Sequence, residues 1–372
     1  MTVNLDLYRH GEEINVAAHV LFSDSFSGEL SFLLSRKMKI ESAFASFGEC
    51  TVEIAESDEL FRKANKVSVS IPQKTQELRI NYSGQPEGYH TFVNDMVFAV
   101  NYYSAWYPDE ISTGSADLAV RFHDNFYTHV VNASYSESEK SWEYRPKDFD
   151  CNILAYKDAK SIQNDLLCLL YIGDNDELAK VYFDAYTNAA EFCADLFETN
   201  RLSKCTLAVL PDGNAHDGYC RESLIVLGGF IDDPSYARHL LAHEIAHNWC
   251  AGADFNTWED WLNETTAEWT SLLFLLHSGN ADKFNSVIAD KFQKCKNSPA
   301  IKTPDGSRPE GVHDKGTLLF YRIYQQYGYD AISKMLRLFD VLTEKTTENY
   351  IASIRENLSS DIADIIVTGI KD

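Results

Sequence analysis

Two neighbouring stretches decide the reading of this 372-residue chain: Leu240-Leu-Ala-His243-Glu244-Ile-Ala-His247-Asn-Trp249, and then Trp261-Leu-Asn-Glu264-Thr-Thr-Ala-Glu268-Trp269. The first contains H-E-x-x-H. Pro234-Ser235 marks a helix start ahead of it, and apolar Leu240, Leu241, Ile245 and Ala246 give that helix a buried side. Histidines four apart lie one turn apart on one helix face, so His243 and His247 can reach the same ion. Neutral imidazole suits zinc, and the intervening Glu244 falls beside the open coordination position, where water binds. It can take that water's proton as a general base. The second stretch reads as another helix beginning near Asn263. A carboxylate at Glu264 can complete a tripod of two His and one Glu, leaving one position for water. Glu268 lies one turn later on the same face and is placed to orient a histidine from behind. The competing readings are a chance match on an ordinary core helix and, for Glu268, a solvated surface acid.

Outward from this pair the texture changes along the chain. From Pro234 onward the pattern is nearly all helix, with breaks at Asn280, 299–311 and Tyr327-Gly328. Before it, short strands at 166–172, 206–210 and 224–227 alternate with an amphipathic helix over 176–198. The first ~150 residues read as β structure. Glu29-Leu-Ser-Phe-Leu-Leu34, Lys66-Val-Ser-Val-Ser-Ile71 and Glu77-Leu-Arg-Ile-Asn-Tyr82 are strand-like, and so are 96–100, 118–122 and 128–131. Gly84-Gln-Pro-Glu-Gly88 is a turn cluster. The expected fold class is α+β. An N-terminal antiparallel β sandwich or saddle spans 1–160, and a mostly helical part with a small mixed sheet spans 161–372.

Composition narrows the partners. A formal net charge of −23 disfavours nucleic acid and anionic membranes as partners. The acid surplus reads as solubility, or as a preference for basic or positively ended substrates. The N-terminus has no basic start followed by an apolar core, and no run of about 18 apolar residues exists. The eight cysteines form no C-x-x-C pair, which reads as reduced thiols in a cytoplasmic setting. The oligomeric state stays open.

Ala242-His-Glu-Ile-Ala-His-Asn-Trp249 followed by Trp261-Leu-Asn-Glu264 resembles the aminopeptidase N family of gluzincin metallopeptidases, whose pattern is H-E-x-x-H-x18-E with the Glu inside W-L-N-E-G. Ala105-Trp-Tyr-Pro108 is similar to a motif of the family's β domain, and Val312-His-Asp-Lys-Gly316 to its Y-E-K-G segment. The resemblance covers most of the chain. It implies a thermolysin-like catalytic domain, one Zn2+ and a peptide substrate, in a short member without the family's large C-terminal helical domain.

Four departures qualify it. Sixteen residues separate His247 from Glu264, two fewer than in the family. The W-L-N-E context still favours Glu264 as third ligand over Cys250, and a loop between helices can shorten without moving either. Thr265 replaces the family's Gly. The family's substrate strand corresponds to residues 217–227, but its amine-gripping Glu is Cys220 or Arg221 here, depending on register, with Glu222 next. Arg221 repels a free amine and suits a carboxylate or a backbone carbonyl, unless it pairs with a neighbouring acid. Finally, the family's oxyanion-stabilising Tyr is His313. A protonated or Nε2–H imidazole can donate the same hydrogen bond; the alternative is an exposed loop histidine.

The implied chemistry is peptide hydrolysis with Glu244 as base, His313 at the oxyanion, and Tyr219, Cys220, Arg221 and Glu222 along one wall. Two rivals remain: a zinc hydrolase acting on another bond, and a non-catalytic binding scaffold. His216, His239 and His277 read as core or surface residues.

Overall fold

The computed structural model describes residues 1–57, 62–112, 116–146, 150–211, 218–221 and 223–371. The chain divides into two compact units, Met1–Lys160 and Ser161–Asp372.

The first unit is a β sandwich. Among the described residues, its larger sheet has nine strands, built around the long antiparallel pair Glu13–Ser35 and Ala64–Gly84. Its smaller sheet has four, including Val97–Val100 and Ile153–Tyr156. Alternating residues such as Val3, Leu5, Leu7, Val67, Val69 and Ile71 point inward from the large sheet. They share one core with Phe98, Val100 and Ile153 of the small one. Trp106 is fully buried, and its indole Nε1 donates to the Cys151 carbonyl at 2.9 Å.

Two strand expectations need correcting. Lys66–Ile71 and Glu77–Tyr82 are not separate strands but parts of the single strand Ala64–Gly84. The ladder shifts register where Phe26 pairs with Thr75, and Pro72, which has no N–H to give, falls within that irregularity. The strand bends there without ending. Nor is the sheet purely antiparallel. The initial strand Thr2–His10 turns back through Gly11, at φ 65°, to pair with Glu13–Ser35. On its other side it runs parallel to Asp117–Phe122, because the intervening chain first crosses through the small sheet.

Among the described residues, the second unit sets a five-stranded mixed sheet beside seven α-helices. Its strand order is Lys160–Gln163, Leu167–Tyr171, Cys205–Val209, Leu224–Leu227 and, at the edge, Gly218–Arg221. The three strands Leu167–Tyr171, Cys205–Val209 and Leu224–Leu227 are parallel, and the edge strand runs antiparallel to its neighbour. Helices α1 (Asp176–Phe197), α2 (Pro234–Ala246), α3 (Trp261–His277), α4 (Ala281–Lys294), α5 (Val312–Asp340), α6 (Thr347–Asn357) and α7 (Ser360–Gly369) form the body. Asp233 caps α2 by accepting from the Ser235 amide at 2.9 Å, with Pro234 at the first helical position. Helix α3 is buried on nearly every side, so it reads apolar or small almost throughout. Helix α5 kinks at Gly328, which sits at φ 78°. Among the described residues, no helix is long and apolar enough to cross a membrane.

Candidate metal centre

Helix α2 ends just where it presents its two histidines. His243 lies in its last turn, and His247 is the C-cap residue. The loop that follows returns to α3 under control of Asn263, whose side chain accepts from the Ala253 amide and donates to the Ala253 carbonyl, both at 3.0 Å. The buried indole of Trp261 donates to Thr347 Oγ1 at 2.7 Å and pins the start of α3. The sixteen-residue spacing is therefore bridged by a short, well-anchored loop.

The result is convergence. His243, His247 and Glu264 each offer a ligand atom, and these atoms all lie within 4.8 Å of one another. His243 Nε2 is 3.3 Å from Glu264 Oε2, and His247 Nε2 is 4.0 Å from Glu264 Oε1. Bonds of about 2.0–2.1 Å in a tetrahedron put ligand atoms roughly 3.4 Å apart, so this spacing fits zinc. The opposite ring nitrogens are already engaged. His243 Nδ1 meets Glu268 Oε2 at 3.0 Å, and His247 Nδ1 meets the Cys250 carbonyl at 3.3 Å. Both partners accept hydrogen bonds, so the Nδ1 atoms carry the protons and the Nε2 lone pairs face Glu264. Glu244 is buried on the same helix and makes no hydrogen bond or ion pair among the described residues.

Behind the three lies a charged layer. Glu268 is buried, and its Oε1 takes Lys291 Nζ at 2.8 Å. Lys291, on α4, also reaches Asp314 of α5 at 3.0 Å. Burial pushes the Glu268 carboxyl up, but Lys291, His239 and His243 outweigh it and hold the group well below its ordinary value. Burial likewise works against Lys291 as a cation, and Glu268 and Asp314 outweigh that too. For His243, burial favours the neutral ring, yet Glu264 and Glu268 raise its proton affinity well above normal. A metal competes for that same lone pair.

The first turn of α5 brings in His313. Its approach is possible because Gly316 has no side chain: a Cβ there would sit 1.8 Å from Thr265 Oγ1. The Thr that replaces a family glycine on α3 is thus accommodated by a glycine on α5. His313 Nδ1 is 3.4 Å from Glu264 Oε2. Its Nε2, the nitrogen expected to donate, instead faces Arg308 and Asp260. The ring enters from a helix N-terminus preceded by the Arg308 loop, and that direction of entry turns Nδ1 inward.

The wall strand is placed as an edge. Tyr219, Cys220 and Arg221 belong to Gly218–Arg221, while Glu222 and His216 lie outside the described residues. Arg221 donates to the Cys220 carbonyl at 2.8 Å, and its guanidinium lies 4.9 Å from the Tyr219 ring centroid. His277 packs its ring against Phe192 at 5.1 Å and lines a separate cavity of about 720 Å³.

Sequence reasoning missed four members of the cluster. His239 approaches Glu268 Oε2 at 3.3 Å from its Nε2, close enough for charge attraction but outside hydrogen-bond geometry. Its signal was available: it stands four residues before His243, on the same helix face. Lys291 carried no such signal, because it arrives from α4; Asp260, the N-cap of α3, and Arg308, five residues before His313, meet only once α3 and α5 are packed together.

No protein-family model matches the sequence, and no curated protein does. Solved structures do match in fold. Leukotriene A4 hydrolase from Saccharomyces cerevisiae superposes with a TM-score of 0.68 at 12% identity, over 99% of this chain and 66% of that one. An aminopeptidase N family protein from Idiomarina loihiensis gives 0.69 at 12% identity, over 99% and 76%. The M1 zinc metallopeptidase from Deinococcus radiodurans gives 0.62 at 14% identity, over 100% and 93%; a mutant of it is known with a Tyr-Ser-Ala substrate bound. This chain therefore has the two-part fold of the M1 zinc metallopeptidases and leukotriene A4 hydrolase, and spans 66% of the length of the yeast hydrolase.

Proposed function

We propose that this chain is a zinc-dependent peptidase in which His243, His247 and Glu264 hold one Zn2+ and Glu244 is the general base. The observation that carries the reading is the convergence of three ligand atoms within 4.8 Å, with both imidazole Nδ1 atoms already occupied. Zinc bound there supplies Lewis-acid chemistry, polarising a carbonyl and acidifying a water. The remaining steps belong to side chains. Glu244 accepts the proton of the attacking water and returns it to the departing amine. His313 donates a hydrogen bond to the oxygen that gains charge in the transition state. Glu268, backed by Lys291, keeps His243 in the tautomer that a metal needs. The edge strand with Tyr219, Cys220 and Arg221 offers backbone to an extended peptide, and Glu222 belongs to the same proposed wall. Arg221 favours a substrate without a free amine at that wall, so blocked peptides are the preferred class. The eight free thiols suit a reducing, cytoplasmic compartment.

The test is zinc content together with turnover of paired free-amine and N-blocked peptides. One zinc per chain and better cleavage of blocked peptides are expected. Glu244→Gln should retain zinc and lose about 10²–10⁴-fold in kcat. A protein that takes up no zinc sinks the reading. Zinc uptake without any peptide turnover would favour a binding scaffold, or hydrolysis of another bond.

A further inference from the structure

Arg308 occupies an unusual position beside His313. It lies in the loop leading into α5, and its Nε donates to Asp260 Oδ2 at 2.8 Å. Asp260 is buried, and its other oxygen accepts from Asn263 Nδ2 at 3.0 Å. Asn263 also holds the loop between α2 and α3 through Ala253. The guanidinium is thus anchored to the start of α3, and from there its Nη2 contacts His313 Nε2.

Hydrogen-bond polarity then fixes the ring. A guanidinium has five N–H donors and no acceptor. The imidazole nitrogen that meets it must offer a lone pair, so Nε2 is bare and the proton of the neutral ring sits on Nδ1. That Nδ1 is the nitrogen 3.4 Å from Glu264 Oε2, on the side of the three converging ligands. The opposite tautomer has a waiting acceptor: Asp260 Oδ2 is 3.4 Å from His313 Nε2. Two tautomers compete, and the residue that chooses between them is Arg308, which both engages Asp260 Oδ2 and donates to the ring.

We propose that Arg308 is a positioning residue, which locks His313 as the Nδ1–H tautomer and so aims its only donor at the reacting oxygen. The proposal rests on the peptidase reading for its consequence, but not for the tautomer itself. It also explains how a histidine can stand where the resemblance expects a tyrosine. A tyrosine has one donor, whereas a histidine has two candidate nitrogens and needs a neighbour to choose.

The test uses zinc-loaded protein labelled with 15N at histidine. Ring 15N shifts report which nitrogen of His313 is protonated, whether or not the protein turns over substrate. In the wild type, Nε2 should be unprotonated. In Arg308→Met the proton should move to Nε2, and Arg308→Lys, which keeps a donor, should restore the wild-type pattern in part. In the peptide assay, Arg308→Met should lose about 10²-fold in kcat, the scale of a lost oxyanion donor, with KM and zinc content nearly unchanged. His313→Ala should lose as much, and the double variant no more than either. An unchanged tautomer in Arg308→Met overturns the proposal, and so do losses that multiply in the double variant. If no form cleaves peptide, the peptidase reading fails by itself and the tautomer measurement alone decides for or against Arg308.

Discussion

Each unit of the molecule buries charge, and the two do it differently. In the β unit, the Arg62 side chain is 1% exposed and contacts Asp109 and Glu110, with its guanidinium 4.0 Å from the Tyr102 ring centroid. One cation meets two carboxylates that keep contact with water, so neither sign is stranded. In the helical unit, around the candidate metal centre, Lys291 pairs with Glu268 and Asp314 and Arg308 with Asp260, while among the described residues Glu264 pairs only with histidines. Four carboxylates against two cations leave a formal excess of two negative charges while the histidines are neutral. The Arg62 cluster carries a formal excess of one negative charge on carboxylates that reach water; the excess of two in the helical unit lies beside two imidazole lone pairs, and a dication held there would offset it.

The largest effect that would sharpen this contrast comes from Glu268→Gln. It removes the acceptor that orients His243 and one of the two carboxylates that compensate buried Lys291. Zinc affinity should fall about 10–100-fold, read by chelator competition, and stability should fall by about 3 kcal/mol, read by urea unfolding. The acid limb should change as well. The Glu268 carboxyl is held below its ordinary value, so its stabilising contribution is complete above about pH 4.5 and is lost as pH falls through the lower folded-state value. Unfolding curves below that pH should converge for wild type and variant. If zinc affinity survives the substitution intact, Glu268 is a structural acid like those around Arg62.

A middle-sized effect probes the other side. Arg62→Met should cost about 1–3 kcal/mol in unfolding experiments and leave zinc content at the wild-type level. Loss of zinc there would break the contrast, since the β-unit cluster would then serve the metal centre. The smallest effect is expected from Cys250→Ala. Its thiol is fully buried and pushed up to about 12, so it is not a thiolate near neutral pH. The substitution should cost about 1 kcal/mol of packing and leave zinc stoichiometry unchanged. A zinc-free Cys250→Ala protein would make this residue the third ligand in place of Glu264.

Legibility in the sequence followed distance along the chain. The edge strand was placed by its resemblance, not by its own pattern, since four residues with mixed burial carry little periodicity. The stretches 66–71 and 77–82 belong to one strand, Ala64–Gly84, because a register shift opposite Phe26 absorbs Pro72 between them. The opening strand Thr2–His10 carries its own signal, the alternation of buried Val3, Leu5 and Leu7.

The sequence by itself determined the two-layer β half, the helical half, and the candidacy of His243, Glu244, His247 and Glu264. It could do so because helix periodicity converts a spacing of four into a shared face. Only the tertiary structure decided what stands behind those residues. Lys291 meets Glu268 from α4, and Arg308 and Asp260 meet His313 from a loop and a helix start. It also decided which His313 nitrogen faces Glu264. Apart from Arg308 and His313, which are five residues apart, such contacts join residues tens of positions apart, and no local spacing encodes them; they exist only once α3, α4 and α5 are packed together.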